Sequence, residues 1–240
     1  MNIFEAKNQI VEIGRRVWTK EWVAANDGNI SCKISDDEYV CTPTGVSKGF
    51  MDVGDLIVVD SEGRKRSGGP LNPSSEIKMH IHVYKNRPDV GSVVHAHPPT
   101  ATGFAVAGMS LDQCALPEVA IVLGQIPCVP YGLPSTDEIP KAIEPHLQSS
   151  NAVLLANHGA LTWGNDLTQA YHRMETLEHF AKILLIAVQL GKVNLFTDEQ
   201  VKALEGLRDR FGLTGPFTGC NIRSGQNLPA QTGEVPGLNS

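Results

Sequence analysis

The sequence predicts an α/β fold in which helices cover both faces of a central sheet that is not purely parallel. Three observations carry that expectation. Short runs rich in β-branched and aromatic residues are grouped early, at residues 29–34, 39–42 and 55–59. Segments with apolar residues at helical spacing precede them and alternate with later strand-like runs. The early runs are joined by hairpin-like stretches of Gly, Pro, Asp and Ser, which argues against the helical crossovers that parallel neighbours need.

In chain order, residues 3–24 place Ile3, Ile10, Val11, Ile13, Val17, Trp18 and Trp22 on a stripe of roughly 3.6-residue period, an amphipathic helix ended by Asn26-Asp27-Gly28. The three strand runs follow. Arg64-Lys65-Arg66 beside Ser67-Gly68-Gly69 reads as a solvated turn. Residues 76–87 form a helix announced by Pro73-Ser74-Ser75, with serines at the cap and an acid in the first turn, and closed by Pro88. Residues 91–95 read as a short buried strand, 100–107 as a short helix and 118–123 as a helical turn. Residues 137–147 are a helix despite Pro140 and Pro145, 152–156 a strand, 167–190 a long helix and 198–211 the last helix. Residues 212–240 are rich in Gly and Pro without periodicity. The expected organisation is therefore one domain over 1–211 and an extended or disordered arm over 212–240.

Composition narrows the function classes. A chain of 240 residues, 41% hydrophobic, buries a substantial single core. With a formal net charge of -6 and no basic stripe, it lacks the electrostatic footprint of a nucleic-acid binder. No apolar stretch reaches the roughly 18 to 20 residues that span a bilayer, and residues 1–7 show no signal-peptide pattern, so a soluble, cytoplasmic protein is expected. Five cysteines, an odd set without C-x-x-C spacing, argue against a disulfide framework and a cysteine zinc site; most of them read as small buried hydrophobes.

The chemistry-bearing residues start with His95 and His97 at the end of the strand run 91–95. Side chains two apart share a face of a strand, so both imidazoles can aim at one point if the strand persists that far. His80 and His82 have the same spacing on a helix, where two residues rotate by about 200° and cannot converge. A catalytic zinc site takes three protein ligands and an open position, and His158 follows the strand 152–156. Spacing alone leaves two readings, metal ligands or hydrogen-bonded polar residues at strand ends. Glu76, near a helix N-terminus, reads either as a first-turn acid or as a carboxylate close enough to a metal to carry protons. Four residues on, His80 is either its orienting partner or a core histidine. Gly28-Asn29-Ile30-Ser31, Thr42-Pro43-Thr44-Gly45 and Ser74-Ser75 place amide or hydroxyl donors at turns or a helix start, where backbone N–H groups face anions. Lys48 lacks P-loop spacing and receives no site assignment.

Six motifs, GNIS, TPTG, NPSSE, RPDVGSVVHAHPP, IPCVPYG and NHGAL, occur in that order over residues 28–160. Together they resemble the class II aldolase/adducin family. The resemblance implies a three-layer α/β/α domain around a mixed, mainly antiparallel sheet, assembled as a homotetramer with active sites near subunit interfaces. It implies a zinc ion on His95, His97 and His158, with another divalent metal as the alternative. It gives proton handling to Glu76, in the aldolase rather than the epimerase form of its motif, and substrate phosphate to Asn29, Thr44, Gly45, Ser74 and Ser75. The implied reaction is cleavage of a ketose 1-phosphate, such as L-fuculose 1-phosphate, to dihydroxyacetone phosphate and an aldehyde. The alternatives are 4-epimerisation of a sugar phosphate, decarboxylation of a 3-oxo-sugar-acid phosphate, and a non-catalytic adducin-like binding module. One departure stands out: family aldolases use a tyrosine from a neighbouring subunit upstream of the I-P-C segment. Ala115-Leu116-Pro117-Glu118-Val119 has none, which leaves Glu118 as a substitute acid/base or a surface residue.

Overall fold

The computed structural model describes residues 1–213 and 218–220. Eight strands form one sheet: β1 (Asn29–Ser35), β2 (Glu38–Cys41), β3 (Ile57–Val59), β4 (Lys65–Ser67), β5 (Ser92–Ala96), β6 (Cys128–Val129), β7 (Ala152–Leu155) and β8 (Gly159–Gly164). Their order is β4-β3-β2-β1-β5-β8-β7-β6. Every neighbouring pair is antiparallel except β6 with β7. The helices are α1 (Ile3–Thr19), α2 (Ile77–Asn86), α3 (Pro99–Val106), α4 (Pro117–Val122), α5 (Glu138–Ile143), α6 (Leu167–Gln189) and α7 (Asp198–Glu205).

Alternation along the strands builds the layers. Ile30, Val40, Val58, Val94, Leu154 and Ala160 pack on one face with Ile10 and Val17 of α1, Phe104 of α3 and Met174, Leu177 and Phe180 of α6. Tyr39, Ile57, Val59, Val93, Val153, Leu161 and Trp163 pack on the other with Met79 and Val83 of α2 and Ile139 and Ile143 of α5. Helices therefore cover both faces, the expected three-layer, mainly antiparallel α/β arrangement. A one-residue slip of any central strand would carry its large residues into the wrong layer.

Local chemistry sets the ends. Asn2 and Glu5 close a capping box on α1, and Asp166 accepts from the Gln169 N–H at the start of α6. α1 stops at Thr19, short of residue 24. The 137–147 segment becomes α5 followed by a tighter turn at Glu144–His146, where Pro145 cannot continue the α-helical ladder. Among the described residues, no helix is long and apolar enough to cross a membrane.

Several expectations change. β8 was missed because it reads Gly-Ala-Leu-Thr-Trp-Gly, without alternation; all six positions are buried, and Thr162 is satisfied by the Ala170 carbonyl. β6 was missed because only two residues pair, beside prolines. Lys65–Ser67 is solvated as expected, yet it is an edge strand rather than a turn, its charges suiting an unpaired edge. The cysteines do not all act as free hydrophobes: Cys114 and Cys220 form a disulfide across 106 residues, while Cys32, Cys41 and Cys128 are free. An odd count with no local spacing carries no sign of so distant a pair. Residues 214–217 and 221–240, most of the expected arm, lie outside the described residues. Residues 218–220 are tied down by the disulfide and by Thr218, whose N–H donates to Ser149 and whose carbonyl accepts from Gln125.

Candidate active site

Three histidines converge. His95 lies in β5, registered opposite Asn29 of β1 and Leu161 of β8. β5 ends at Ala96, so His97 stands just beyond the strand, with its N–H on the Trp22 carbonyl. His158 occupies the turn between β7 and β8. There Asn157 takes the left-handed conformation (φ 57°), which asparagine tolerates better than most residues. His95 Nε2 is 3.1 Å from His97 Nε2 and 3.2 Å from His158 Nε2.

The donor set fits a divalent cation. The Ala160 carbonyl, 2.9 Å from His95 Nδ1, can only accept, so that nitrogen carries the proton and Nε2 presents its lone pair to the other two rings. Tetrahedral ligands at zinc–nitrogen distances near 2.1 Å would be about 3.3 to 3.4 Å apart. Burial, followed by the charges of His158 and His97, holds the His95 imidazole well below its ordinary range. Burial and then His158 lower that of His97, against Asp27, whose Oδ2 lies 3.6 Å from His97 Nδ1. Both shifts favour the neutral imidazole that a metal requires.

Glu76 completes the cluster. It holds the N-cap position of α2 rather than its first turn, and its side chain does not cap the helix. Oε2 accepts from Asn29 Nδ2 at 2.8 Å and is 3.6 Å from His95 Nε2; Oε1 is 3.4 Å from His158 Nε2. Oε1 is buried and has no hydrogen-bond partner among the described residues. His80 does not orient Glu76. Its Nδ1 lies 2.7 Å from Ser31 Oγ, in a buried network with Tyr84, so the core reading of His80 holds.

A cavity of about 230 Å³ opens beside the histidines, lined by Asp27, Asn29, Thr44, Ser74, Ser75, Glu76, His97 and His158 among others. Backbone bonds sew its walls together: the Thr42 N–H donates to Ile30, the Ser74 N–H to Thr42 and the Thr44 N–H to Asn72. Of the expected phosphate residues, Asn29, Thr44, Ser74 and Ser75 line this space; Gly45 does not, and instead supplies a left-handed turn (φ 75°) beside Thr44. Glu118 is exposed on α4 and outside its own chain's cavity. Sequence reasoning missed three contributors. In the sequence Asp27 shows itself only as part of a helix stop. Ser135, whose Oγ donates to Ser75 Oγ at 2.8 Å, comes from a loop 60 residues away. Gly159 leaves room for the rings, since a Cβ there would lie 2.5 Å from His97 Cδ2.

The profile of the Class II Aldolase and Adducin N-terminal domain matches residues 8–185. The chain belongs to that family. It is 32% identical over 203 residues to a 3-oxo-tetronate 4-phosphate decarboxylase of Haemophilus influenzae, covering 83% of this chain and 95% of the relative. It is 33% identical over 184 residues to an L-fuculose phosphate aldolase of Methanococcus vannielii, covering 77% and 98%. A solved L-fuculose 1-phosphate aldolase superposes with a TM-score of 0.79 at 26% identity, over 87% of this chain and 96% of that one. The protein is thus an enzyme of the class II aldolase family, with aldolases and decarboxylases among its relatives.

Proposed function

We propose that this protein is a zinc-dependent lyase that breaks the carbon–carbon bond between the α and β positions of a phosphorylated sugar's carbonyl. The leading reaction is retro-aldol cleavage of a ketose 1-phosphate, such as L-fuculose 1-phosphate, to dihydroxyacetone phosphate and an aldehyde. The observation that carries this reading is a cluster of three imidazole nitrogens and a largely buried carboxylate at the edge of one cavity, whose wall offers anion-type donors.

His95, His97 and His158 would hold a zinc ion, which would supply Lewis acidity for negative charge developing on the substrate's carbonyl oxygen. Asn29, Thr44, Ser74 and Ser75 hold the phosphoryl group, which fixes the reacting carbons relative to Glu76. The bond between C3 and C4 breaks as the C4 hydroxyl gives up its proton. Glu76, with Oε2 held by Asn29 and Oε1 accepting no hydrogen bond among the described residues, delivers a proton to the carbanion left at C3. Glu118 takes the C4 hydroxyl proton only from a second copy of the chain, in keeping with a homotetramer whose sites lie near subunit interfaces.

A second reading, decarboxylation of a 3-oxo-sugar-acid phosphate, has an observation of its own. No tyrosine lines the cavity among the described residues, and Glu118 is outside it. Loss of carbon dioxide from a carboxylate requires only one proton carrier, to protonate the remaining carbanion. Epimerisation is disfavoured by glutamate at position 76. The zinc-loaded protein should be given L-fuculose 1-phosphate and 3-oxo-tetronate 4-phosphate in parallel. Dihydroxyacetone phosphate from the first supports aldol cleavage, carbon dioxide from the second alone supports decarboxylation, and neither product would sink both. Absence of stoichiometric zinc from purified protein would favour a binding module.

A further inference from the structure

Lys48 is a lysine inside the protein, 2% exposed, and it hydrogen-bonds the backbone of Asn26, a residue that lines the candidate phosphate cavity. Its Nζ donates to the Asn26 carbonyl at 2.9 Å and to the Val46 carbonyl at 2.8 Å. The first belongs to the turn that leads through Gly28 to Asn29, the second to the turn that carries Thr44 and Gly45. The backbone of Lys48 is also closely seated, since a Cβ on Gly14 of α1 would lie 2.8 Å from the Lys48 carbonyl oxygen.

Two neutral carbonyls are poor compensation for a buried charge. Among the described residues no carboxylate stands within ion-pair distance of Nζ, and Asp27 acts on it only through its field. Burial lowers its pKa to about 8, so the side chain still carries its charge at neutral pH. As hydrogen-bond ties alone, these contacts would be served by a neutral donor without the cost of desolvating an ammonium. A charge kept there is explained by an anion that arrives later.

We propose that Lys48 is a positioning residue for anion binding: it ties the Asn29 turn to the Thr44 turn and holds an unbalanced positive charge beside the cavity's lining, for which the substrate's phosphoryl group is the counter-charge. The inference rests on the phosphate reading of that cavity and deepens it.

The test uses the full-length, zinc-loaded protein with inorganic phosphate as calorimetric probe and the phosphorylated substrate in kinetics. Lys48→Gln keeps a neutral donor and removes the charge. It should weaken phosphate binding and raise KM by about 10- to 100-fold, the range of one charge-assisted contact, with kcat within about 3-fold and zinc content and melting temperature unchanged. Lys48→Arg should recover part of the affinity. Ser75→Ala serves as a control inside the cavity. A soluble, folded Lys48→Gln that binds phosphate as the wild type does would overturn the proposal, as would equal losses in kcat and Tm without a KM effect. If Lys48→Gln does not fold, Lys48→Met carries the same expectation. Wild-type protein that binds no phosphate, with Ser75→Ala silent, would instead remove the phosphate reading itself and this inference with it. Normal wild-type binding with insensitive Lys48 variants removes the inference alone.

Discussion

Asn29 Nδ2 donates to Glu76 Oε2 at 2.8 Å, joining residues 47 positions apart. One amide thereby aligns the candidate proton carrier while lining the cavity that would take the phosphate. Asn29→Asp would replace the donor on Glu76 Oε2 with a second carboxylate that repels it. Turnover should fall by about 10²-fold or more, with zinc content kept. A kcat equal to that of the wild type would refute the assignment.

Losing a metal ligand should cost more than losing the proton carrier. His95→Ala should lose zinc and activity together, because removing one of three ligands leaves two. Glu76→Gln should keep zinc and lose about 10²- to 10⁴-fold in kcat. Elemental analysis alongside kinetics separates the two, and an active, metal-free His95→Ala protein would end the metal proposal.

Gly159→Ala probes the packing of the rings. The added methyl would lie 2.5 Å from His97 Cδ2 and 2.7 Å from the Ala96 carbonyl oxygen, so the ring or the strand must shift. Zinc affinity should fall about 10- to 100-fold, as when ligand orientation is lost elsewhere. Chelator competition measures it; unchanged affinity would mean that the rings adapt freely.

His80 should make the fold acid-sensitive. Burial lowers its pKa from 6.5 to about 3. Below pH 6.5 the unfolded chain takes up a proton that the folded protein refuses, so this contribution is present above the unfolded pKa and is lost as pH falls toward the folded one. The slope is at most about 1.4 kcal/mol per pH unit. In urea unfolding, the stability gap between wild type and His80→Gln should narrow by about 2 kcal/mol from about pH 7 to about pH 5. A gap that stays constant with pH would mean that folding leaves the His80 pKa unchanged.

Much of the candidate site was legible in the sequence because its residues travel in short motifs at the ends of elements. His95 and His97 share a strand terminus, His158 closes a tight turn after β7, and Ser74 and Ser75 precede a helix. Asp27 and Ser135 were not legible, because their roles arise only when separate loops meet. The same applies to the Cys114–Cys220 link, and to β8, whose two buried faces leave no alternation to read.

By itself, the sequence determined which segments form helices and most strands, that the sheet is not purely parallel, and which donor atoms are offered for a cation and an anion. Those properties are local, set by side-chain periodicity, turn residues and functional-group chemistry. Only the tertiary structure decided that β5, β7 and β8 carry three Nε2 atoms to one point. It also decided that Glu76 faces them through Asn29 rather than His80, that Glu118 stands outside its own chain's cavity, and that Lys48 is buried against a residue that lines it. Those outcomes depend on strand register and on loops brought together by burying two apolar faces of one sheet, and neither is encoded at any single position.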